Sequence, residues 1–437
     1  MSFRDIFADT RPLQVPAYRR LWTANIATTI GAQLTVVAVP VQIYAITGSS
    51  AYVGLTGLFG LVPLVIFGLY GGSIADGFDK RTVLVASTVG MILTALGFWG
   101  LSVSGNTNVW WLLAVFSLQQ AFFAVNQPTR TAVFRSILPL EQLPAGSSLN
   151  MMLMQFGAIV GPLVAGALIP LIGFSWLYAL DAALLIPTLG AVLALPSLPP
   201  SGAAQKAGFR SVIDGLAYLW TQPILLVAML LDLIAMTFGM PRALYPEIAA
   251  VSFGEGGGGG GDGGGGLMLA LLYSSMAAGA VLGGLLSGWV SRVVRQGLAV
   301  IVCIVAWGVA VIIAGGAVML SPGAVTMWAW MVILMLVLGG AADMFSAALR
   351  TAILQQSAAE HVQGRIQGVY IVVVVGGPRL ADVLHGWAAA PLGVGLATLL
   401  GGVLVVVGTL LCAVFVPSFT TYLRPGPRTV DVDTPAD

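Results

Sequence analysis

Three stretches of this chain, Thr82–Val103, Leu298–Leu320 and Val394–Val416, each run for more than twenty residues without one charged side chain. A helix that crosses the hydrocarbon core of a bilayer needs roughly 20 predominantly apolar residues. On the same criterion, with occasional polar residues allowed, twelve such segments follow one another between residues 21 and 417. They do not alternate apolar and polar at every second residue, as the strands of a membrane barrel would. The expected fold class is therefore an all-α integral membrane protein with twelve transmembrane helices. Composition agrees, with 58% of residues hydrophobic and 8% charged, where soluble domains are about a quarter charged. A net charge of +1 provides no basic field for nucleic acid, so no such partner is expected. Cys303 and Cys412 lie inside apolar runs and form neither a disulfide framework nor a zinc spacing.

Charge position orients the segments. Every Lys and Arg except Arg242 and Arg379 either precedes the first segment or follows an even-numbered one. Basic residues accumulate in cytoplasmic loops, so both termini are expected in the cytoplasm of a multi-pass plasma-membrane protein. One span more or fewer would break that alternation. The first apolar run is long and lacks a small-residue cleavage site, which argues against a cleaved signal peptide.

The connection 196–222, rich in Pro, Ser, Gly and Ala, splits the chain. The expected organisation is a cytoplasmic segment 1–20, a six-helix bundle 21–195, a cytoplasmic linker 196–222, a second six-helix bundle 223–417 and a disordered tail 418–437. Internal similarity supports two parallel repeats. Arg130-Thr131-Ala132-Val133 in segment 4 recurs as Arg350-Thr351-Ala352-Ile353 in segment 10. Gly161-Pro162 recurs as Gly377-Pro378, and Gly71-Gly72 as Gly283-Gly284, each on the corresponding segment. Parallel six-helix repeats are one known architecture of secondary transporters. The glycine-rich stretch Gly254–Gly266 reads as a flexible external tether rather than a phosphate loop, because no strand precedes it and no helix Lys follows.

The connection between segments 2 and 3 reads Gly71-Gly72-Ser73-Ile74-Ala75-Asp76-Gly77-Phe78-Asp79-Lys80-Arg81. It resembles the major facilitator superfamily signature Gly-x-x-x-Asp-Arg-x-Gly-Arg-Lys/Arg, with Gly72, Asp76, Lys80 and Arg81 matching. Gly77 stands where that family usually has Arg, and Asp79 where it often has Gly. The resemblance implies a conformational latch, in which an acid at a helix end pairs with basic residues and a helix terminus of the other half. A closer likeness is to the branch of enterobactin, macrolide and other drug exporters. It rests on Asn126-Gln127-Pro128-Thr129-Arg130 through Leu140-Glu141-Gln142-Leu143-Pro144, and on Gly157, Gly161, Pro162, Ala165 and Gly166. Small residues at that spacing let helices approach closely.

Ionisable residues inside apolar segments are the most informative single positions, since each costs about 2.5–3.5 kcal/mol at a helix centre. They are Asp181, Asp232, Arg242, Asp343, Arg379, Asp382 and His385. Arg379, Asp382 and His385 share a helix face and follow Gly376-Gly377-Pro378, which should loosen segment 11. Proton coupling is expected at Asp382 with Arg379 and His385, with Asp232 and Asp343 as further candidates. The superfamily resemblance implies a central cavity whose wall would include Asn25, Gln33, Gln119, Gln120, Phe123, Gln155, Arg242 and Arg379.

No nucleotide-binding loop and no metal-ligand cluster is present in the sequence. No enzymatic activity, cofactor or metal is therefore expected, and the protein is expected to act as a monomer in the lipid bilayer. The leading expectation is a proton-coupled exporter of a siderophore or an amphipathic drug-like compound, working by alternating access. An importer or facilitator of a small metabolite, or a non-transporting membrane sensor or scaffold, is the alternative.

The topology is directly testable. A reporter active only outside the cell should be active when fused after Gly260 and silent when fused after Gln205. Activity at both points, or the reverse pattern, would refute the orientation.

Overall fold

The computed structural model describes residues 9–199, 217–255, 266–357 and 363–424, with backbone alone at 69, 71–76, 291, 357, 363–368, 370–372 and 375. Most of the 196–222 connection, the glycine-rich stretch and the tail therefore lie outside the described residues.

Long helices make up nearly everything described. In the first half they are α1 (Pro16–Thr47), α2 (Ser50–Gly77), α3 (Lys80–Val103), α4 (Val109–Ile137) and α5 (Leu143–Leu193). In the second half they are α6 (Pro223–Phe238), α7 (Leu267–Leu285), α8 (Gln296–Met319), α9 (Met327–Ser357), α10 (Gln363–Leu392) and α11 (Val394–Phe415). Ten helical stretches among the described residues are long and apolar enough to cross a membrane. One of them contains α5, whose 51 residues are far too many for one crossing. Gly173, at φ 71° and ψ 175°, breaks it into two arms. Only glycine adopts that backbone readily, so the sequence places a turn there without a loop. With α5 counted as two arms and α10 included, six helices stand on either side of the 196–222 connection.

Segment 7, which the sequence reads as one apolar helix over residues 224–245, is broken in the structure. The α-helix ends at Phe238, and Gly239-Met240-Pro241 lead into a 3-10 turn at Arg242–Leu244 and a π turn at Ile248–Ser252. Pro241 cannot donate an amide hydrogen bond, which interrupts the helix and swings Arg242 out of its line. Glu255 then reaches the start of α7, its carboxylate accepting from the Met268 and Leu269 amides at 2.8 and 3.0 Å. An anion at a helix N-terminus satisfies amides that have no partner within the helix.

Within the first half, α1 and α3 pack along α5, and α2 along α4. Within the second, α8 packs on α9 and α11, α9 on α7, and α10 on α6. The halves meet through α2 against α10 and α5 against α7. A two-fold exchange of the repeats interchanges those two contacts. One apolar core, including Leu34, Phe98 and Leu177 of the first half with Leu244, Leu272 and Val318 of the second, spans both at the end that carries the 48–49 connection. Toward the end that carries Arg11–Gln14 the packing separates. Tyr18, Leu84, Val133 and Phe134 form one cluster, and Val227, Ile301, Trp307 and Ile353 another. The molecule is closed at one end and parted at the other.

Asp79, which departs from the family signature, has a defined task. It is the N-cap of α3, accepting from the Thr82 amide at 3.0 Å, and it also accepts from the Ser197 hydroxyl at 2.6 Å and the Leu198 amide at 2.8 Å. Arg81 donates to the Leu193 carbonyl at 2.7 Å. The connection before α3 thus grips the C-terminal end of α5. The Ser197 hydroxyl above all, with the Thr82 and Leu198 amides, holds the Asp79 carboxyl below the usual carboxylate range. A depressed acid contributes stability above its unfolded pKa, and that stability is lost as pH falls through the folded value. Replacing an N-cap Asp by Ala costs about 0.5–2 kcal/mol, and Asn caps nearly as well as Asp. In detergent, Asp79→Ala should lower the apparent melting temperature by a constant amount above about pH 5 and by less below about pH 4. Asp79→Asn should be the milder change.

Candidate functional site

Where the halves part, a cavity of about 200 Å³ opens between them. Asn25, Thr28, Gln33 of α1, Gln119, Gln120, Phe123, Asn126 and Arg130 of α4, Asn150 and Asp181 of α5, and Arg379 of α10 line it. The wall is amide-rich and aromatic, with two guanidinium groups and one carboxylate. Of the residues expected there, Asn25, Gln33, Gln119, Gln120, Phe123 and Arg379 are present. Gln155 and Arg242 do not line this cavity. Gln155 directly follows the lining residue Met154 on α5 but is not itself on the wall, and the break in segment 7 carries Arg242 away to Asp382.

In the first half these polar groups are joined by hydrogen bonds to neutral partners. Arg130 donates to the Asn25 and Asn126 side-chain oxygens, the latter at 3.2 Å. Asn25 donates to Asn150 at 3.3 Å, and Asn126 to Ser87 at 2.9 Å. Asp181, 1% exposed, accepts from the Thr35 hydroxyl at 2.5 Å. Thr28 and Thr188 share a hydrogen bond.

The second half does the equivalent with ions. Arg350 on α9 stands 2.7 Å from Asp232 on α6 and 3.6 Å from Asp343 on its own helix, and donates to Ser346 at 2.9 Å. Asp232 has no basic neighbour on its own helix, and its partner comes from a helix more than a hundred residues later in the chain. Arg350 is 1% exposed and sits inside the bundle.

The third cluster lies at the seam. Asp382 stands 3.5 Å from Arg242 and 3.9 Å from Arg379. Arg379 donates to Gln120 of the first half at 3.2 Å, and its guanidinium lies 5.7 Å from the centre of the Phe116 ring. His385 turns Nδ1 toward the Ala381 carbonyl at 3.0 Å. The three residues predicted on one face of segment 11 are thus adjacent, but only Arg379 faces the cavity. Around them the helices touch backbone to backbone. A Cβ at Gly54 would stand 2.6 Å from the Asp382 carbonyl oxygen, and one at Gly57 would overlap the Arg379 carbonyl. Ser50 donates to Glu247 across the same seam.

Gly157 and Gly161, with buried Pro162, admit Thr29 and Gln33 of α1 against α5, whereas Gly166 meets Ala270 and the Gly266 carbonyl of the other half. Of the expected latch, Gly72 and Asp76 lie where only the backbone is described. Lys80 is 3% exposed, and Arg81 binds within its own half. Sequence reading missed the pairing of Arg350 with Asp232. The recurrence of Arg130 at Arg350 contained the clue, because repeat-related arginines should meet repeat-related partners on α1 and α6.

A family model described as the Major Facilitator Superfamily matches residues 21–381. A protein of Citrobacter koseri named enterobactin exporter EntS is 29% identical over 404 residues, covering 91% of each chain. The protein of the same name from Escherichia coli O1:K1 is 28% identical over 408 residues, covering 92% of each. Among solved structures, the nucleoside transporter NupG superposes with a TM-score of 0.70 at 13% identity, covering 93% of this chain and 99% of that one. The peptide transporter POT in complex with alafosfalin gives 0.74 at 12% identity, covering 93% and 96%. A bacterial homologue of the human lysosomal transporter Spinster, inward-facing and unoccupied, gives 0.65 at 15% identity, covering 94% and 97%.

The seam makes a prediction of its own. Gly57→Val should prevent the closed end from forming, because the Arg379 carbonyl belongs to a helix backbone and cannot step aside. A cysteine introduced at Gln33 should then react faster with an impermeant maleimide applied from the closed end than in the Gly57 background. An unchanged rate would mean that closure does not depend on this contact.

Proposed function

The chain belongs to the Major Facilitator Superfamily, and on that premise we propose that it is a proton-coupled exporter of the plasma membrane. Its cargo is an amphipathic small molecule, a siderophore or a drug-like compound, and it acts as a monomer with both termini in the cytoplasm. The full-length similarity to proteins named enterobactin exporters supports a siderophore. The observation that carries the transport reading is the cavity between halves that touch at one end only. With the termini in the cytoplasm, this is the inward-facing state, loaded from inside and emptied by rocking the halves.

The coupling acid must change its surroundings when the halves rock. Asp181 has its hydroxyl partner within the first half, and Asp232, Asp343 and Arg350 all lie within the second. Rigid-body motion leaves both sets intact. Asp382 differs, because it packs on α2 and shares Arg379 with Gln120 of the opposite half. Opening the seam frees Arg379 and admits water, and each changes how well a carboxylate holds its proton. Asp382 is the proton site on this reading, with Arg379 and His385 beside it. Asp76, Lys80 and Arg81, with Gly72, would latch the alternative state at the opposite end.

In proteoliposomes, Asp382→Asn should reduce proton-driven uphill export of iron-free enterobactin to the level of empty liposomes and preserve counterflow. Arg379→Ala should reduce both. Wild-type uphill export in Asp382→Asn would move the proton site elsewhere.

A further inference from the structure

The two repeat-related arginines are treated unequally. Each donates to the residue four positions earlier on its own helix, Asn126 for Arg130 and Ser346 for Arg350. Each also reaches the first helix of its half, where Arg130 finds Asn25 and Arg350 finds Asp232. The second half adds Asp343, so Arg350 is charge-compensated twice. The first half offers only amides. Nε is without a hydrogen-bond partner in both arginines, but only Arg130, 4% exposed, lines the cavity. A buried guanidinium without a counter-charge is costly unless a ligand supplies one. Asp181, the one carboxylate on the wall, is engaged by Thr35.

From this asymmetry we infer that Arg130, framed by Asn25 and Asn126, is an anion subsite of the cavity that takes a planar oxygen anion, a carboxylate or catecholate, of the transported molecule. A planar guanidinium matches such a group with parallel hydrogen bonds, and the Asn25 amide, which spends one of its two N–H groups on Asn150, can donate to a remaining oxygen atom. Arg379, on the opposite wall, adds a second positive charge. The inference deepens the export reading and rests on it for its physiological meaning, but binding can be measured without transport.

The probe pair is 2-naphthoate and its neutral analogue 2-naphthamide, measured by equilibrium dialysis against protein in zwitterionic nanodiscs, with empty discs subtracted. Wild type should bind the naphthoate at least about tenfold more tightly than the amide, the range of one charge-assisted hydrogen-bonded contact. Arg130→Gln should remove that preference, and Arg130→Lys should restore part of it. Asn25→Asp is the decisive variant. It gives Arg130 the partner that Arg350 already has, so it should preserve the fold and abolish naphthoate binding. Naphthoate binding unaltered in Asn25→Asp and Arg130→Gln would overturn the inference. So would its loss from wild type in discs containing phosphatidylglycerol, which would assign the site to lipid phosphate. A protein that shows Arg130-dependent binding but exports nothing would refute the export reading alone.

Discussion

Away from the cavity no water reaches the hydrocarbon region to solvate a stray charge, so an ionised group packed inside either half needs an answering protein group. Arg350 meets that demand most completely, with Asp232, Asp343 and Ser346 around one guanidinium. Removing one member of such a buried set typically costs about 3–5 kcal/mol, because the survivor stays charged and unanswered. The pairing ties α6 to α9. In the first half, Arg130 and its amides tie α4 to α1, and Asp181 with Thr35 ties α5 to α1. Each half is therefore cross-braced by polar contacts made within it, and can move as a unit.

The contact between the halves is of another kind. Apart from Ser50 with Glu247, Arg379 with Gln120 and Phe116, and the Ser274 hydroxyl on the Ile159 carbonyl, the contacts described at the seam are apolar, with glycines set closely against backbone. Close packing of that sort is strong in sum and contains few directional bonds. It can be broken and remade at the opposite end without leaving many polar groups stranded in lipid. Strong bracing inside each half and weakly polar contact between them is the mechanical requirement for rocking about a central site.

Much of this was readable in the sequence, because the bilayer allows so few backbone solutions. Apolar run length, basic-residue alternation and the recurrence of Arg-Thr-Ala and Gly-Pro suffice for an all-α bundle of paired repeats. What stayed hidden depends on how helices rotate against one another. Gln155 reads as well as Gln33 for a cavity wall, and only the roll of α5 separates them. Arg242 reads as intramembrane until Gly239 and Pro241 end the helix before it. Asp232 has no legible partner, since pairing with Arg350 is a fact of α6 meeting α9. Asp79 looks like a lapse from the family signature, although its capping of α3 follows from a carboxylate placed just before Lys80 at the helix start.

Arg379 belongs to two systems at once, and this joins binding to conformation. Its guanidinium lines the cavity and reaches Gln120, and the same group neutralises Asp382 at the seam. A negative group entering the cavity competes with Asp382 for that one cation. To the extent that it wins, Asp382 retains only Arg242, which is one-third exposed and a weaker counter-charge for it. A carboxylate losing half its compensation in a dry seam is left costly to bury. That loss weakens the tie between α10 and the turn that follows α6, beside the contacts that keep the closed end shut. An anionic cargo would thus loosen the far gate by drawing on the cation that stabilises it, with no additional relay between the two.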